Sequence, residues 1–283
     1  MRTVVHLSDL HFGADDPAVV AALQQDLALL QPDVIAVSGD LTQRARNNQF
    51  ASARTFLDAL TAPLVVVPGN HDVPLYDLFR RFARPLNRFR RHIGDHASYV
   101  DEEVAVIGAD TTRSLTIKDG GLTRSAVARV LAEFERIPPA ATRILVCHHP
   151  FDRVPRRATR WAFPAVWTDA VATLVEGGVD VILSGHLHLS YAGHSATRYR
   201  TSGRAAVVVE AGTATSVRGR GETNAFNVLR IDRDAISVER QEWRAQEGRF
   251  AAGQEDRFTR APEGWAPAHG SGADLPPEGV LFK

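Results

Sequence analysis

The sequence predicts an α/β fold organised on parallel β-strands, and three observations carry that prediction. Short aliphatic runs recur at residues 3–7, 34–37, 64–67, 144–147 and 179–183. Segments with apolar residues at helical spacing fall between several of them, as βαβ units require. Each of the five runs also ends in residues that ligate metals: Asp9-Leu10-His11, Ser38-Gly39-Asp40, Gly69-Asn70-His71-Asp72, Cys147-His148-His149 and Gly185-His186-Leu187-His188. Ligands of open α/β sheets bind beyond the carboxyl ends of the strands. If the five strands are parallel neighbours, the five clusters share one edge.

Each element has a local reason. The first apolar run gives a buried strand, and residues 15–31 follow as a helix with Val20, Leu23, Leu27 and Leu30 at helical spacing, Pro17 in its first turn and Pro32 beyond its end. Residues 34–37 give the second strand, 50–60 a helix with Phe50, Ala53, Leu57 and Leu60 on one face, and 64–67 the third strand. Residues 75–93 then interrupt the alternation as an Arg-rich helical insertion. Residues 97–100 and 104–109 read as a hairpin, 125–135 as a helix with Val127, Val130, Leu131 and Phe134 inward, and 144–147 as a strand. The proline- and arginine-bearing stretch 151–167 reads as loop. A helix at 169–176, closed by Gly177-Gly178, leads to the strand at 179–183. The rest is mostly β, at 205–210, 225–231 and 236–243. From residue 244 to 283 the chain is rich in Gly, Pro and Ala, and reads as an extended or partly disordered tail anchored by Phe250, Phe258 and Trp265.

Composition narrows the function classes. A chain of 283 residues, 44% hydrophobic and 23% charged, matches an ordinary globular enzyme, and one of this size buries roughly three quarters of its unfolded surface. Its 33 basic and 33 acidic residues cancel, which argues against general nucleic-acid affinity. The single Cys147 cannot form an internal disulfide, Asp9 and His11 interrupt any leader-like apolar stretch, and no transmembrane run exists. A cytoplasmic location is therefore expected.

The clusters carry the chemistry. One Asp-x-His or His-x-His pair is an ordinary turn, whereas five polar clusters at corresponding strand ends point to a shared dinuclear metal site. In extended backbone, side chains two apart point the same way, so both members of Asp9/His11 and of His186/His188 are expected to reach one site. Gly39, Gly69 and Gly185 each precede a proposed ligand and permit a sharp turn and close approach. Oxygen and imidazole donors without thiolate suit Mn, Fe, Zn or Ni. Asp40, alone on its loop, suits a bridge between two ions, whose remaining positive charge favours an anionic substrate such as a phosphoester.

Taken together, Asp9-x-His11, Gly39-Asp40, Gly69-Asn70-His71-Asp72, His148 and Gly185-His186-x-His188 resemble the calcineurin-like metallophosphoesterases, in that family's order, over about two thirds of the chain. His6-Leu7-Ser8-Asp9-Leu10-His11, with Leu41-Thr42-Gln43-Arg44 after Asp40, is most similar to the bacterial branch containing class III cyclic-nucleotide phosphodiesterases and glycerophosphodiesterases. The resemblance implies a four-layer αββα sandwich, two mixed sheets flanked by helices, as a domain over residues 1–243. It implies one metal on Asp9, His11, Asp40 and His188, and a second on Asp40, Asn70, His148 and His186. His71 is left to contact the phosphate or protonate the leaving oxygen, with Asp72 orienting it or a ligand loop.

The reaction so implied is hydrolysis of a small phosphodiester by in-line attack of a metal-bridging hydroxide. A DNA nuclease of the double-strand-break-repair type and a non-catalytic scaffold on the same fold are the alternatives. The first expects a larger cap than this β-rich end offers, and the second expects lost ligands. Arg44, Asn47 and Arg113 follow strands and are candidates to line the cleft. In the insertion, Arg80, Arg81, Arg84, Arg88, Arg90 and Arg91 interleave with Phe79, Phe82 and Phe89, which reads as an amphipathic helix with aromatics packed down and arginines solvated. A lip gripping a phosphodiester, a nucleic-acid strand or an anionic membrane surface is the alternative there. Peripheral membrane contact and a dimer stay open. His6 and Cys147 are expected in the core, and His149 is expected to point away from the site.

Overall fold

Strands buried on both faces explain the near-continuous apolar runs, because neither face needs polar residues. The computed structural model describes residues 1–116, 119–150, 166–195, 203–218 and 221–268. The chain opens with β1 (Arg2–Leu7), α1 (Pro17–Leu30), β2 (Val34–Val37), α2 (Asn47–Asp58) and β3 (Leu64–Val66). The insertion forms two short helices, α3 (Leu78–Ala83) and α4 (Asn87–His92). Then come β4 (Ser98–Val100), β5 (Val104–Gly108), α5 (Arg124–Phe134), β6 (Thr142–Val146), α6 (Val166–Glu176) and β7 (Val181–Ser184). The remainder is β8 (Tyr191–His194), β9 (Val207–Glu210), β10 (Ala225–Ile231), β11 (Ala235–Arg244), β12 (Arg249–Ala261) and β13 (Gly264–Pro267).

Among the described residues these strands make two mixed sheets, ordered β13-β12-β11-β10-β1-β2-β3 and β4-β5-β6-β7-β9-β8. The five ligand-bearing strands are therefore not one set of neighbours. β1, β2 and β3 run parallel in the first sheet, while β6 and β7 run parallel in the second. Alternation along each strand divides the core into three layers. Val4, Val34, Ala36 and Val65 cluster with Val106, Ile144, Val146, Val181 and Leu183 between the sheets. Val5, Leu7, Ile35 and Val37 pack against Leu23 and Leu27 of α1 and Phe50 and Phe56 of α2. Ile107, Leu145 and Ile182 pack against Val127, Val130 and Phe134 of α5 and Val171 and Leu174 of α6. With helices outside and sheets inside, the architecture is the four-layer αββα sandwich.

Local chemistry sets the helix ends. Asp16 caps α1 by accepting from Ala18 N at 2.9 Å, with Pro17 at the first helical position. Thr123 caps α5 through Ala126 N at 3.2 Å. The hairpin is β4 against β5, and α6 begins three residues before the expected helix. Most of the stretch 151–167 lies outside the described residues. Cys147 is buried, and burial, with Glu210 nearby, pushes its thiol pKa up. No described helix is long and apolar enough to cross a membrane.

Two further expectations are corrected. The chain after residue 244 does not leave the domain as a tail: β12 pairs with β11, and β13 with β12, in the first sheet. Phe250, Phe258 and Trp265 are the buried anchors, and composition alone hid the strands because their polar residues face solvent. Residues 269–283 lie outside the described set. The insertion is two helices, not one, separated at Pro85, and on α3 its polarity is inverted. Arg81 is buried and donates to the carbonyls of Pro74, Ser114 and Thr116, while Phe79 and Phe82 are exposed. On α4 Phe89 does pack down.

Trp265 ties the end of the first sheet to the second, with its indole N–H donating to Asp180 Oδ1 at 3.1 Å. Trp265→Ala is expected to cost about 3–5 kcal/mol of unfolding free energy. Denaturant titration should show a lower midpoint with an unchanged slope.

Candidate metal centre

The carboxyl ends of β1, β2 and β3 face those of β6 and β7, and the loops beyond them converge. Asp9 Oδ1 lies 3.1 Å from His188 Nε2 and 3.4 Å from His11 Nε2. Asp40 extends between two groups of imidazoles, with Oδ2 3.7 Å from His11 Nε2 and Oδ1 3.4 Å from His148 Nε2. Asn70 Oδ1 is 3.1 Å from His148 Nε2 and 2.9 Å from His186 Nδ1. Asp9, Asp40, His11 and His148 are fully or almost fully buried, and His188 is nearly so. The structure thus brings together all seven proposed ligands, from loops up to 179 positions apart in sequence.

The backbone explanation changes. Asp9 and His11 are not extended: their φ angles are 53° and 50°, and those of Asp40, His186 and His188 are 53°, 73° and 56°. Five of the seven non-glycine residues with positive φ among those described are candidate ligands. Each left-handed residue costs roughly 1–2 kcal/mol, and such strain persists where its surroundings over-determine it. Thr213 and Thr215, in the loop after β9, supply part of that restraint by donating to Asp9 O and Leu10 O, each at 2.7 Å. Nothing local in the sequence marked these threonines, because their partners are backbone atoms some 200 positions away.

Glycines act mainly by allowing close approach. A Cβ on Gly69 would lie 2.2 Å from Asp40 Oδ1, and one on Gly185 would lie 1.8 Å from Ser8 Oγ. Gly39 alone of the three needs a left-handed φ, at +93°.

Hydrogen bonds fix the imidazoles. His148 Nδ1 donates to Ser38 O at 2.7 Å, and His188 Nδ1 to Arg218 O at 3.2 Å. Their Nε2 atoms are then the ones left facing the carboxylates, the arrangement usual for a metal-binding histidine. His71 Nδ1 donates to Gln43 O at 2.8 Å, so its Nε2 is the atom available to a substrate. Asp72 does not touch the His71 ring. It accepts from Gly69 N, Leu41 N, Thr42 N and Thr42 Oγ1, clamping the Asp40 loop to the Asn70 loop. Burial and the nearby Asp40 push its carboxyl up to about 6, against these hydrogen bonds.

Electrostatics favour bound cations. Burial disfavours ionised Asp9, yet the imidazoles of His188, His11 and His148 hold its carboxyl well below the usual range. Asp40 is held low in the same way by His148, His11 and His71. Asp9 Oδ1 is buried without a hydrogen-bond donor. Two buried carboxylates, an amide oxygen and four imidazoles make a donor set that fits one or two divalent ions, and subsets of these residues already place ligand atoms within 4.8 Å of one another.

The surrounding residues are more mixed. Arg44 lines a small cleft with Gln43, Asn70, His71, Val73 and Leu75. Arg113 is exposed, its guanidinium against Gly121, with no hydrogen bond or ion pair to the site among the described residues. Asn47 only opens α2, exposed. His149 does not point away: its ring lies 4.8 Å from that of His186, and Nδ1 is 2.8 Å from Thr111 Oγ1. Arg218 went unnoticed in the sequence, yet its Nη1 lies 3.3 Å from Gln43 Oε1, on the residue that holds His71.

His6 sits behind the site, fully buried, with Nε2 2.9 Å from Ser38 Oγ and Nδ1 without a partner. Burial lowers its pKa from 6.5 to about 3. Below pH 6.5 the unfolded chain binds a proton there that the folded chain refuses. Stability contributed above that pH is therefore lost as pH falls toward 3, by up to about 1.4 kcal/mol per unit. Urea midpoints measured from pH 7 to 4 should fall less steeply in His6→Gln than in the parent chain.

The family model described as calcineurin-like phosphoesterase matches residues 2–190. Glycerophosphodiester phosphodiesterase GpdQ of Enterobacter lignolyticus is 28% identical over 160 residues, covering 52% of this chain and 56% of that protein. The probable glycerophosphodiester phosphodiesterase GpdQ of Arcobacter nitrofigilis is 28% identical over 123 residues, covering 42% of each. The chain thus spans about half the length of these curated relatives. Among solved structures, purple acid phosphatase PPD1 of yellow lupin superposes with a TM-score of 0.64 at 14% identity, over 91% of this chain and 53% of that one. A dimetal phosphatase of Danio rerio gives 0.58 at 12% identity, over 85% and 96%. These structural likenesses speak for the fold, and the family match spans the loops that carry the seven candidate ligands but not the loop after β9. The chain belongs to the calcineurin-like phosphoesterase family.

Proposed function

We propose that the protein is a phosphodiesterase acting on a small phosphodiester of the glycerophosphodiester or cyclic-nucleotide type, with two metal ions at the centre described above. The convergence of Asp9, His11, Asp40, Asn70, His148, His186 and His188 carries this reading. Asp9, His11, Asp40 and His188 would hold one ion, and Asp40, Asn70, His148 and His186 the other. Such a pair supplies Lewis acidity toward phosphoryl oxygens and a water-derived nucleophile at neutral pH. The names of the two GpdQ relatives support the diester class, and the intact donor set speaks against a non-catalytic scaffold.

The chain's own groups do the rest. His71 is assigned to the phosphate and not to the metals, and its bond to Gln43 O aligns the ring and leaves Nε2 as the working atom. Burial lowers its pKa, and an anionic phosphate placed against Nε2 acts the opposite way. A protonated Nε2 there can donate to a phosphoryl oxygen or to the leaving oxygen. Asp72 acts by holding two loops at fixed separation, as a positioning residue. Arg44 borders the cleft beside His71, and Arg218 approaches the same residue, Gln43, from the loop after β9. Both can receive phosphoryl oxygens or a second anionic substituent. Arg113 is not assigned to substrate.

Asp40→Ala should lose metal and turnover together, read by elemental analysis and by hydrolysis of bis(p-nitrophenyl) phosphate with added Mn. His71→Ala should keep its metal and lose about 10²–10⁴-fold in kcat, and full activity in that variant would remove His71 from the reaction. Glycerophosphodiesters, cyclic nucleotides, phosphomonoesters and single-stranded DNA should be compared as substrates. The expected order places small diesters first, and preference for DNA would sink the proposal.

A further inference from the structure

The insertion after the Asn70 loop leaves an apolar surface bare. Of the nine exposed large hydrophobic side chains among the described residues, five gather here: Tyr76 (77% exposed), Leu78, Phe79 (79%), Phe82 and Leu115 (88%). Leu78 and Phe82 are four apart on α3, and Phe79 and Phe82 three apart, spacings that place side chains on one helix face. Leu115 comes from a different loop. Buried Arg81 fastens that loop to the insertion by binding the carbonyls of Ser114 and Thr116, on either side of Leu115.

The same segment is basic, in a chain of zero net charge. Residues 75–96 hold six arginines against Asp77 and Asp95, and Arg80, Arg84, Arg90 and Arg91 are exposed. It also borders the metal centre. The Arg44 guanidinium lies 6.0 Å from the centroid of the Tyr76 ring, and Leu75 lines the cleft beside Asn70 and His71. A clustered apolar patch of this kind marks an interaction site.

We propose that this face docks the protein peripherally on an anionic phospholipid surface. Tyr76, Leu78, Phe79, Phe82 and Leu115 enter the boundary between headgroups and acyl chains, and the exposed arginines meet lipid phosphates. Charge selects this occupant over a second copy of the chain. A two-fold dimer through the patch would set two arginine-rich segments against each other, whereas an anionic leaflet complements them. Docked this way, the cleft beside His71 sits at the lipid surface.

The test is co-sedimentation of the full chain with vesicles of phosphatidylcholine, alone or mixed with phosphatidylglycerol. Binding is expected only to the mixed vesicles, and should weaken as salt is raised. Phe79→Ser/Phe82→Ser should reduce partitioning by about tenfold or more, and each of Arg80→Gln and Arg84→Gln by about fivefold. Leu29→Ser, which alters an exposed apolar side chain on α1, should bind as the parent does. An unchanged unfolding midpoint in the phenylalanine variant shows that surface, and not folding, was altered. Failure to bind mixed vesicles overturns the proposal, as does binding that survives the phenylalanine and arginine substitutions. A concentration-dependent dimer that the phenylalanine variant abolishes, in a protein that ignores vesicles, also overturns it. None of these readouts depends on phosphoesterase activity, so the result stands apart from the proposed function.

Discussion

Two carboxylates withdrawn from water set the terms for the rest of this molecule. Asp9 and Asp40 are at 0% and 1% exposure, and an ionised carboxylate buried without partners is strongly destabilising. The fold compensates from every side. Asp9 Oδ2 accepts from Ser8 Oγ and from His186 N, and Asp40 Oδ1 accepts from His71 N. Imidazoles from both sheets crowd the remaining oxygens. Delivering those donors forces the chain into left-handed turns at five ligand positions and brings Gly69 and Gly185 against the carboxylate loops. The centre is thus a region where local strain is accepted and held in place by hydrogen bonds from elsewhere.

Backbone carbonyls then orient the histidines. His148, His188 and His71 each commit Nδ1 to a backbone carbonyl, and the first two turn Nε2 to the carboxylates. Where each Nε2 points is set by which carbonyl its ring meets. Asp72 keeps that arrangement stable by fixing the spacing between the loops that carry Asp40 and His71.

Distant parts of the chain support the same centre. The loop after β9 pins Asp9 and Leu10 through Thr213 and Thr215, and brings Arg218 to Gln43. Trp265, close to the end of the described chain, joins Asp180 at the start of the β7 segment that leads to His186 and His188. The insertion contributes in another way: Arg81 gives up solvent to hold a neighbouring loop, and that choice turns Phe79 and Phe82 outward. The apolar, arginine-rich rim of the cleft follows from that one buried guanidinium.

How much of this was legible beforehand depends on the range of the interaction involved. Apolar runs, helix caps such as Asp16 before Pro17, and ligand residue types at strand ends are local patterns. From them the sequence alone determined an α/β architecture and the residues that come together at the centre. It could not determine that the five strands divide between two sheets, because a strand buried on both faces reads the same in either. The left-handed φ of Asp9, His11, Asp40, His186 and His188 was also invisible, since their restraints come from backbone partners remote in sequence. Composition made residues 249–267 look like a tail, although pairing with β11 was enough to order them. Only the tertiary structure decided whether Arg81 or Phe79 would face inward, because a guanidinium is buried only where acceptors meet its donors, as the carbonyls of Pro74, Ser114 and Thr116 do here.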